Sequence, residues 1–169
     1  MKKVLVAYFS VTGTTEAMAQ YIAEGIRISG HQAFVKKISE INQPEDVAGY
    51  DAYIFGSPTH YSDIPDVMKT FLTKARRADL EGKLGGSFGS YTHDGNAPAR
   101  ILDMLQNNYN MEPFKLGAIN FKENMFQELD RTTQQKSQFV AGEVVEEGTG
   151  EGRRACQDYG RVFGESLSD

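Results

Sequence analysis

Four hydroxyl side chains surround a single glycine at the point where an apolar run near the start of the chain ends. The run covers Val4–Phe9, and the residues that follow it are Ser10, Val11, Thr12, Gly13, Thr14 and Thr15. A helical pattern begins at Thr14, and a helix start favours an anion because its first backbone N–H groups and its dipole are oriented toward one. The hydroxyls add uncharged donors, and the glycine lets the backbone approach a ligand closely. The stretch therefore predicts a site for a monophosphate.

Two known phosphate motifs do not match this stretch, and one structural alternative stays open. No lysine follows Gly13, as it would in the loop that binds triphosphates, and the chain has no G-x-G-x-x-G fingerprint for dinucleotides. The alternative is that Thr12 or Thr14 only caps the helix. Capping needs one hydroxyl and the stretch has four, so we favour the phosphate site.

Two further loops contribute aromatic rings. Each follows another apolar run, and they read Ser57-Pro58-Thr59-His60-Tyr61-Ser62-Asp63 and Ser90-Tyr91-Thr92-His93-Asp94-Gly95. Rings on opposite sides of a pocket can hold a flat ring system between them. A surface position would explain any one of these rings alone, but their shared place after strands favours a binding site.

The elements that must position these loops alternate between strand and helix along the chain. Apolar runs predict strands at Val4–Phe9, Ala33–Ile38, Tyr50–Phe55, Lys83–Ser90 and Phe114–Ile119, and helical periodicity predicts helices at Thr14–Ile28, Ile64–Ala75, Ala97–Gln106 and Arg153–Leu167. This order predicts an α/β fold in which a doubly wound parallel sheet is covered by helices on both faces. Because ligands of such sheets bind outside the carboxyl ends of the strands, we expect the three loops to meet there.

Composition narrows the function classes. The 169 residues carry a formal net charge of −5, which argues against a nucleic-acid partner and leaves room for a basic protein partner. The single cysteine, Cys156, excludes an internal disulfide and is expected to be buried in the last helix. The first apolar run is too short for a signal peptide, and no window approaches a membrane span. We expect a cytoplasmic protein without a metal site.

One segment breaks the alternation of strands and helices. Residues 120–150 separate the fifth strand from the last helix, whereas such connections usually have about 2–6 residues. Within this segment, Met125–Lys136 is predicted as a short helix and Gln138–Val145 as an edge strand. Long insertions of this kind are often lids or partner surfaces, and a simple surface elaboration is the alternative.

At the three loops the sequence resembles the flavodoxin-like family of flavin mononucleotide (FMN) proteins. Tyr8–Thr15 resembles the phosphate signature of that family, and Gly56–Tyr61 its second flavin loop. Gly89–Tyr91 with Gly95 is most similar to the third loop of the flavodoxin domains of A-type flavoproteins. The resemblance implies one domain over residues 1–169, with a five-stranded sheet in the order 2-1-3-4-5 and an insertion after or within strand five.

The resemblance also implies a role for each loop in holding FMN. The first loop would bind the phosphate, the second would line one face of the ring, and the third would line the other face and the pyrimidine edge. The implied cofactor-binding residues are Ser10, Val11, Thr12, Gly13, Thr14, Thr15, Ser57, Pro58, Thr59, His60, Tyr61, Ser90, Tyr91, Thr92, His93, Asp94 and Gly95. The chain has no tryptophan, so His60 or Tyr61 would take the stacking position that a tryptophan often holds in flavodoxins.

The implied function is transfer of low-potential electrons between transient redox protein partners, by a monomer or weak dimer. Acidic residues near the ring, namely Asp63, Asp66 and Asp94, would lower the reduction potential by disfavouring a negatively charged reduced ring. The alternative is an FMN-dependent NAD(P)H:quinone-type oxidoreductase in which His60 or His93 donates a proton. A binding module without redox activity is a third reading, and the presence of all three flavin loops disfavours it.

Overall fold

A computed structural model describes residues 1–126 and 151–167, and it confirms the alternation of strands and helices. The strands are β1 (Lys3–Tyr8), β2 (Gln32–Lys37), β3 (Ala52–Gly56), β4 (Leu84–Tyr91) and β5 (Glu112–Lys122), and the helices are α1 (Thr14–Ile28), α2 (Asp66–Arg76), α3 (Ala97–Asn107) and α4 (Glu151–Glu165). Short 3₁₀ turns follow β2 at Ile38–Glu40 and Pro44–Asp46. The predicted helix at Thr14–Ile28 is confirmed at both ends.

The five strands form one parallel sheet in the order β2-β1-β3-β4-β5, as the resemblance implied. The side chains of residues 4–7 in β1 have no exposed surface, as expected of a central strand that is covered on both faces. On one face α1 and α4 pack against the sheet, and Cys156 of α4 is buried there, as predicted. On the other face α2 and α3 pack around Phe55 and Phe71.

The edge strand β5 departs from the prediction. It extends three residues past the predicted end at Ile119, to Lys122, where it pairs with Tyr91. Its pairing with β4 is interrupted between Gly85 and Ser87, because the part of β5 that faces them has extra residues between Pro113 and Ala118. Gly117 lies in this irregular part and has a φ of 71°. The first part of the predicted insertion therefore belongs to the sheet, and it ends beside the predicted site.

The rest of the insertion lies mostly outside the described residues. The backbone is helical at residues 123–126, where the predicted helix Met125–Lys136 begins, whereas the predicted edge strand Gln138–Val145 falls wholly outside the description. Within residues 1–126 and 151–167, no helix combines the length and the apolar character needed to span a membrane.

Candidate functional site

The start of α1 offers backbone donors beside open space. Gly13 occupies the position before the helix in a left-handed conformation with φ 95°. Apart from its two chain neighbours, no described residue would have a heavy atom within 4 Å of a Cβ added there. The first intrahelical bond runs from the N–H of Ala17 to the oxygen of Gly13, at 3.0 Å, so the N–H groups of Thr14 and Thr15 lie ahead of it. This is the arrangement that binds anions at helix starts.

The hydroxyls of the first loop have divided roles. Ser10 Oγ accepts hydrogen bonds from the N–H groups of Gly13 at 3.2 Å and Glu16 at 3.3 Å, so Ser10 caps the helix instead of Thr12 or Thr14. Thr15 Oγ1 lies 2.9 Å from Ser90 Oγ, and both groups are buried. The exposed Thr12 is therefore available to a ligand without disturbing the cap.

Two carboxylates flank the first loop. Glu16 Oε1 accepts a hydrogen bond from the hydroxyl of Tyr8 at 2.9 Å, and burial, followed by this bond, raises the pKa of Tyr8 to about 12. Glu123, which follows β5, accepts a bond from Thr14 Oγ1 at 3.4 Å. The end of β1 and the end of β5 are thereby tied to the start of α1.

The second loop is a tight hairpin with an exposed aromatic tip. His60 and Asp63 exchange two backbone hydrogen bonds of 2.9 Å, and the residues between them, Tyr61 and Ser62, have left-handed φ values of 51° and 61°. Tyr61 is fully exposed, whereas the rings of His60 and Phe9 form a T-shaped pair with their centroids 6.2 Å apart. The hairpin thus presents one ring to solvent and keeps the other against the end of β1.

Asp63 anchors the hairpin to two helices. Its carboxylate accepts bonds of 2.7 Å from Lys69 of α2, from Arg100 of α3 and from the N–H of Ile64. The Lys69 ammonium, with these other donors, holds the pKa of Asp63 well below its usual range. Because two cations balance this carboxylate, Asp63 presents little of the net negative charge expected of it from the sequence.

The second and third loops meet, as expected, and enclose a cleft of about 420 Å³. Seven residues line it, namely Thr59, His60, Tyr61, Ser62, Thr92, His93 and Asp94. Ser62 Oγ donates to Asp94 Oδ2 across the two loops at 2.6 Å. Deeper in the cleft, the backbone N–H of Thr59 donates to the carbonyl oxygen of Ser90 at 3.2 Å. The volume lies in the range typical of small-molecule sites.

The remaining predicted residues lie behind or beside the cleft. Ser57 is fully buried and its hydroxyl bonds to the carbonyl of the half-buried Pro58 at 2.8 Å. Tyr91 and Gly95 are half-buried at the base of the third loop, and neither is among the residues that line the cleft. Val11 is an exposed apolar side chain at the tip of the first loop.

Three residues near the site were not predicted from the sequence to belong to it. Ser62 was part of the second loop but carried no signal beyond its position there. Asn120 donates from Nδ2 to the carbonyl of Gly95 at 2.7 Å, and Glu123 reaches the first loop. Both follow the predicted end of β5, so only the extension of that strand brings them to the site.

The site as a whole suits a ligand that joins an anionic group to a flat aromatic ring. The first loop supplies uncharged donors and open space beside Gly13, which fits a phosphate. The cleft supplies the rings of His60, Tyr61 and His93, which fit a flat ring. The residues present are therefore compatible with FMN.

Comparison with known proteins agrees with this geometry. Residues 5–151 match the family model described as Flavodoxin domain. Over 131 residues the chain is 34% identical to "NAD(P)H dehydrogenase (quinone)" of Cupriavidus metallidurans, covering 63% of this chain and 66% of the relative. A protein of the same name from Rhodopseudomonas palustris is also 34% identical over 131 residues. The chain thus spans slightly less than two thirds of the length of these relatives.

Solved structures show the same fold. A flavodoxin from the domain Archaea is similar with a TM-score of 0.75 and 22% identity, over 96% of both chains. The flavodiiron protein from Giardia intestinalis has a TM-score of 0.76 at 21% identity, over 98% of this chain and 36% of that chain. Oxidised flavodoxin 1 from Bacillus cereus has a TM-score of 0.74 at 24% identity, over 98% and 99% of the two chains.

Proposed function

Because the chain belongs to the flavodoxin domain family, we propose that it binds FMN at the edge formed by its three loops and carries electrons between redox partners. FMN is the cofactor of this family, and it supplies the redox chemistry because its ring accepts and releases one or two electrons. One observation carries the proposal: the anion-binding helix start at Gly13 and the cleft between the second and third loops lie at the same carboxyl edge of the sheet.

The first loop holds the phosphate in this proposal. The N–H groups of Thr14 and Thr15 and the hydroxyl of Thr12 are its donors, while Ser10 keeps the loop in place by capping α1. Neutral donors at a helix start bind an anion without a lysine or arginine. The loop therefore selects a flavin that carries a phosphate over one that does not.

The second and third loops hold the ring. His60 and Tyr61 contact it from one side, and the third-loop residues Thr92, His93 and Asp94 contact it from the other. Tyr61 is exposed and the cleft opens at the surface, so a partner protein can approach the site directly. Such access suits brief docking through a small interface, as electron-transfer complexes use.

A quinone reductase is the second candidate, and two observations favour it. The curated relatives at 34% identity are named "NAD(P)H dehydrogenase (quinone)". Two histidines, His60 and His93, line the cleft, and histidine can donate a proton near neutral pH. In this candidate the histidines protonate a quinone that binds over the ring.

One experiment tests both candidates. The purified protein is loaded with FMN, freed of excess cofactor, and treated under anaerobic conditions first with NAD(P)H and then with dithionite at controlled potential. For a carrier we expect retained FMN, negligible reduction by NAD(P)H, and two separate one-electron potentials. Rapid reduction by NAD(P)H with quinone-dependent turnover would establish the second candidate instead. A protein that retains no FMN would contradict both.

A further inference from the structure

Asn120 holds a buried polar atom without a hydrogen-bond partner in the described part of the chain. It pairs with Gly89 in the sheet, beyond the irregularity at Gly117, and its Nδ2 donates to the carbonyl of Gly95 at 2.7 Å. Its Oδ1 is buried, and no hydrogen-bond donor reaches it among residues 1–126 and 151–167. Native proteins rarely leave a buried acceptor in this state, so the atom calls for an explanation.

The orientation of this amide follows from its partner. The carbonyl of Gly95 only accepts hydrogen bonds, so the NH₂ group of Asn120 must be the end that faces it. Rotating the amide would place two acceptors together, and Oδ1 is therefore the end that is left to another partner. That partner has to be a donor.

Two features of the surroundings restrict the position of Asn120. The hydroxyl of Tyr159 in α4 donates to the carbonyl of Gly117 at 2.6 Å, which holds the irregular part of β5 against the helix. At the other end, a Cβ on Gly95 would lie 2.2 Å from Asn120 Nδ2, so only glycine allows this approach. The amide is thus held between the sheet edge and the third loop.

Asn120 also lies between the two parts of the proposed flavin site. Its sheet partner Gly89 precedes Ser90, whose hydroxyl contacts Thr15 of the first loop at 2.9 Å. Its hydrogen-bond partner Gly95 follows Asp94, which lines the cleft. A ligand that spans the first loop and the cleft has to pass this part of the sheet edge.

We propose that Asn120 is a cofactor-binding residue whose Oδ1 accepts a hydrogen bond from the bound flavin while its Nδ2 anchors the third loop. This inference rests on the proposed function. The flavin offers two kinds of donor, the hydroxyls of its ribityl chain and the imide N–H of its ring. Either donor would satisfy the acceptor and would explain why the protein leaves it unpaired.

The test compares dissociation constants for four flavins, measured by fluorescence quenching on the full chain. The ligands are FMN, riboflavin, lumiflavin, which lacks the ribityl hydroxyls, and 3-methylriboflavin, which lacks the imide N–H. The variants are Asn120→Ala and the closer-shaped Asn120→Leu, which preserves packing if the alanine variant fails to fold. Asn107→Ala is the matched control, because Asn107 is an exposed asparagine on α3 that bonds to Asp103.

We expect each Asn120 variant to bind FMN and riboflavin about tenfold more weakly than the wild type. The penalty should disappear with lumiflavin if a ribityl hydroxyl is the donor, or with 3-methylriboflavin if the imide is. An equal penalty with all four flavins would overturn the inference, since it would mean that Asn120 only anchors the loop. An unchanged affinity would overturn it too. In both cases the proposed function survives, whereas a wild type that binds no flavin contradicts the proposed function itself.

Discussion

The first loop and the cleft between the second and third loops lie at one edge of the sheet, yet they are held in different ways. The first loop is held by less exposed groups, because Thr15 bonds to the buried Ser90 at the start of the third loop and Ser10 caps α1. The rim of the cleft is held by exposed groups, namely the bond between Ser62 and Asp94 and a hairpin tip in left-handed conformation, whereas its base is joined by the bond from the N–H of Thr59 to Ser90.

This difference assigns separate tasks to the two regions. Buried hydrogen bonds are costly to break, so the first loop is an anion site that exists before any ligand arrives. Exposed side-chain bonds contribute little to stability, so the rim of the cleft can adjust to its ligand at small cost. We infer that the first loop selects flavins that carry a phosphate, and that the cleft adjusts its contacts to the flavin ring.

The largest effect is expected from Thr15→Val, which removes the buried hydrogen bond between the first loop and Ser90. The substitution keeps the shape of the side chain but leaves the hydroxyl of Ser90 buried without its partner. The free energy of unfolding of the apoprotein should fall by about 1–3 kcal/mol, as measured by urea denaturation. The control is Thr12→Val, an exposed threonine in the same loop, which should change it by no more than about 0.5 kcal/mol. Equal effects would remove the distinction between the two regions.

The next effect concerns Gly13→Ala. A side chain in the left-handed region costs about 1–2 kcal/mol, and the new Cβ would fill the open space beside the helix start. We expect the affinity for FMN to fall at least about tenfold in a fluorescence titration. Gly49→Ala is the control, because Gly49 has a φ of 93° and open space around it but lies away from the three loops. If both variants bind FMN like the wild type, the first loop does not hold the phosphate.

A smaller effect is expected from Asp63→Asn, which releases the hairpin from Lys69 and Arg100. Because the pKa of Asp63 is lowered in the folded state, its contribution is complete above the ordinary carboxyl pKa of about 3.9 and is lost as the pH falls toward the folded value. The variant should therefore melt below the wild type at pH 7, and the difference should narrow below about pH 4 and in high salt. Asp79→Asn, at an exposed carboxylate, controls for net charge. A gap in melting temperature that widens on acidification would contradict this reading.

The smallest effect is expected from Ser62→Ala. The hydrogen bond to Asp94 joins two exposed side chains, so its loss should change the free energy of unfolding by no more than about 0.5 kcal/mol. The affinity for FMN should change less than about threefold, by the same titration. A larger loss would mean that the cleft, like the first loop, depends on a fixed arrangement.

The same contrast explains how much of the site could be predicted from the sequence. The first loop follows a buried strand and precedes a regular helix, so the local pattern was enough to predict the place of the loop, and the helix Thr14–Ile28 was predicted with both ends right. The meeting of the second and third loops followed from the rule for parallel sheets.

The residues that were missed depend on long-range pairing. Asn120 is polar and follows the apolar residues of β5, so it marks the end of a strand by local criteria. Beyond the irregularity at Gly117, whose carbonyl accepts a bond from Tyr159, β5 goes on pairing with β4 as far as Tyr91. This continued pairing places Asn120 beside the third loop. The ion pairs of Asp63 with Lys69 and Arg100 could likewise not be predicted from the sequence, because the two cations come from different helices.

The most direct test of the division between the two regions is a comparison of FMN with riboflavin, which differ only in the phosphate. Dissociation constants are measured for the wild type, Thr12→Val and Ser62→Ala. We expect the wild type to bind FMN more tightly than riboflavin, with that ratio reduced by Thr12→Val and unchanged by Ser62→Ala. Equal affinities for the two flavins in the wild type, or a ratio that only the cleft variant lowers, would contradict the assignment of the phosphate to the first loop.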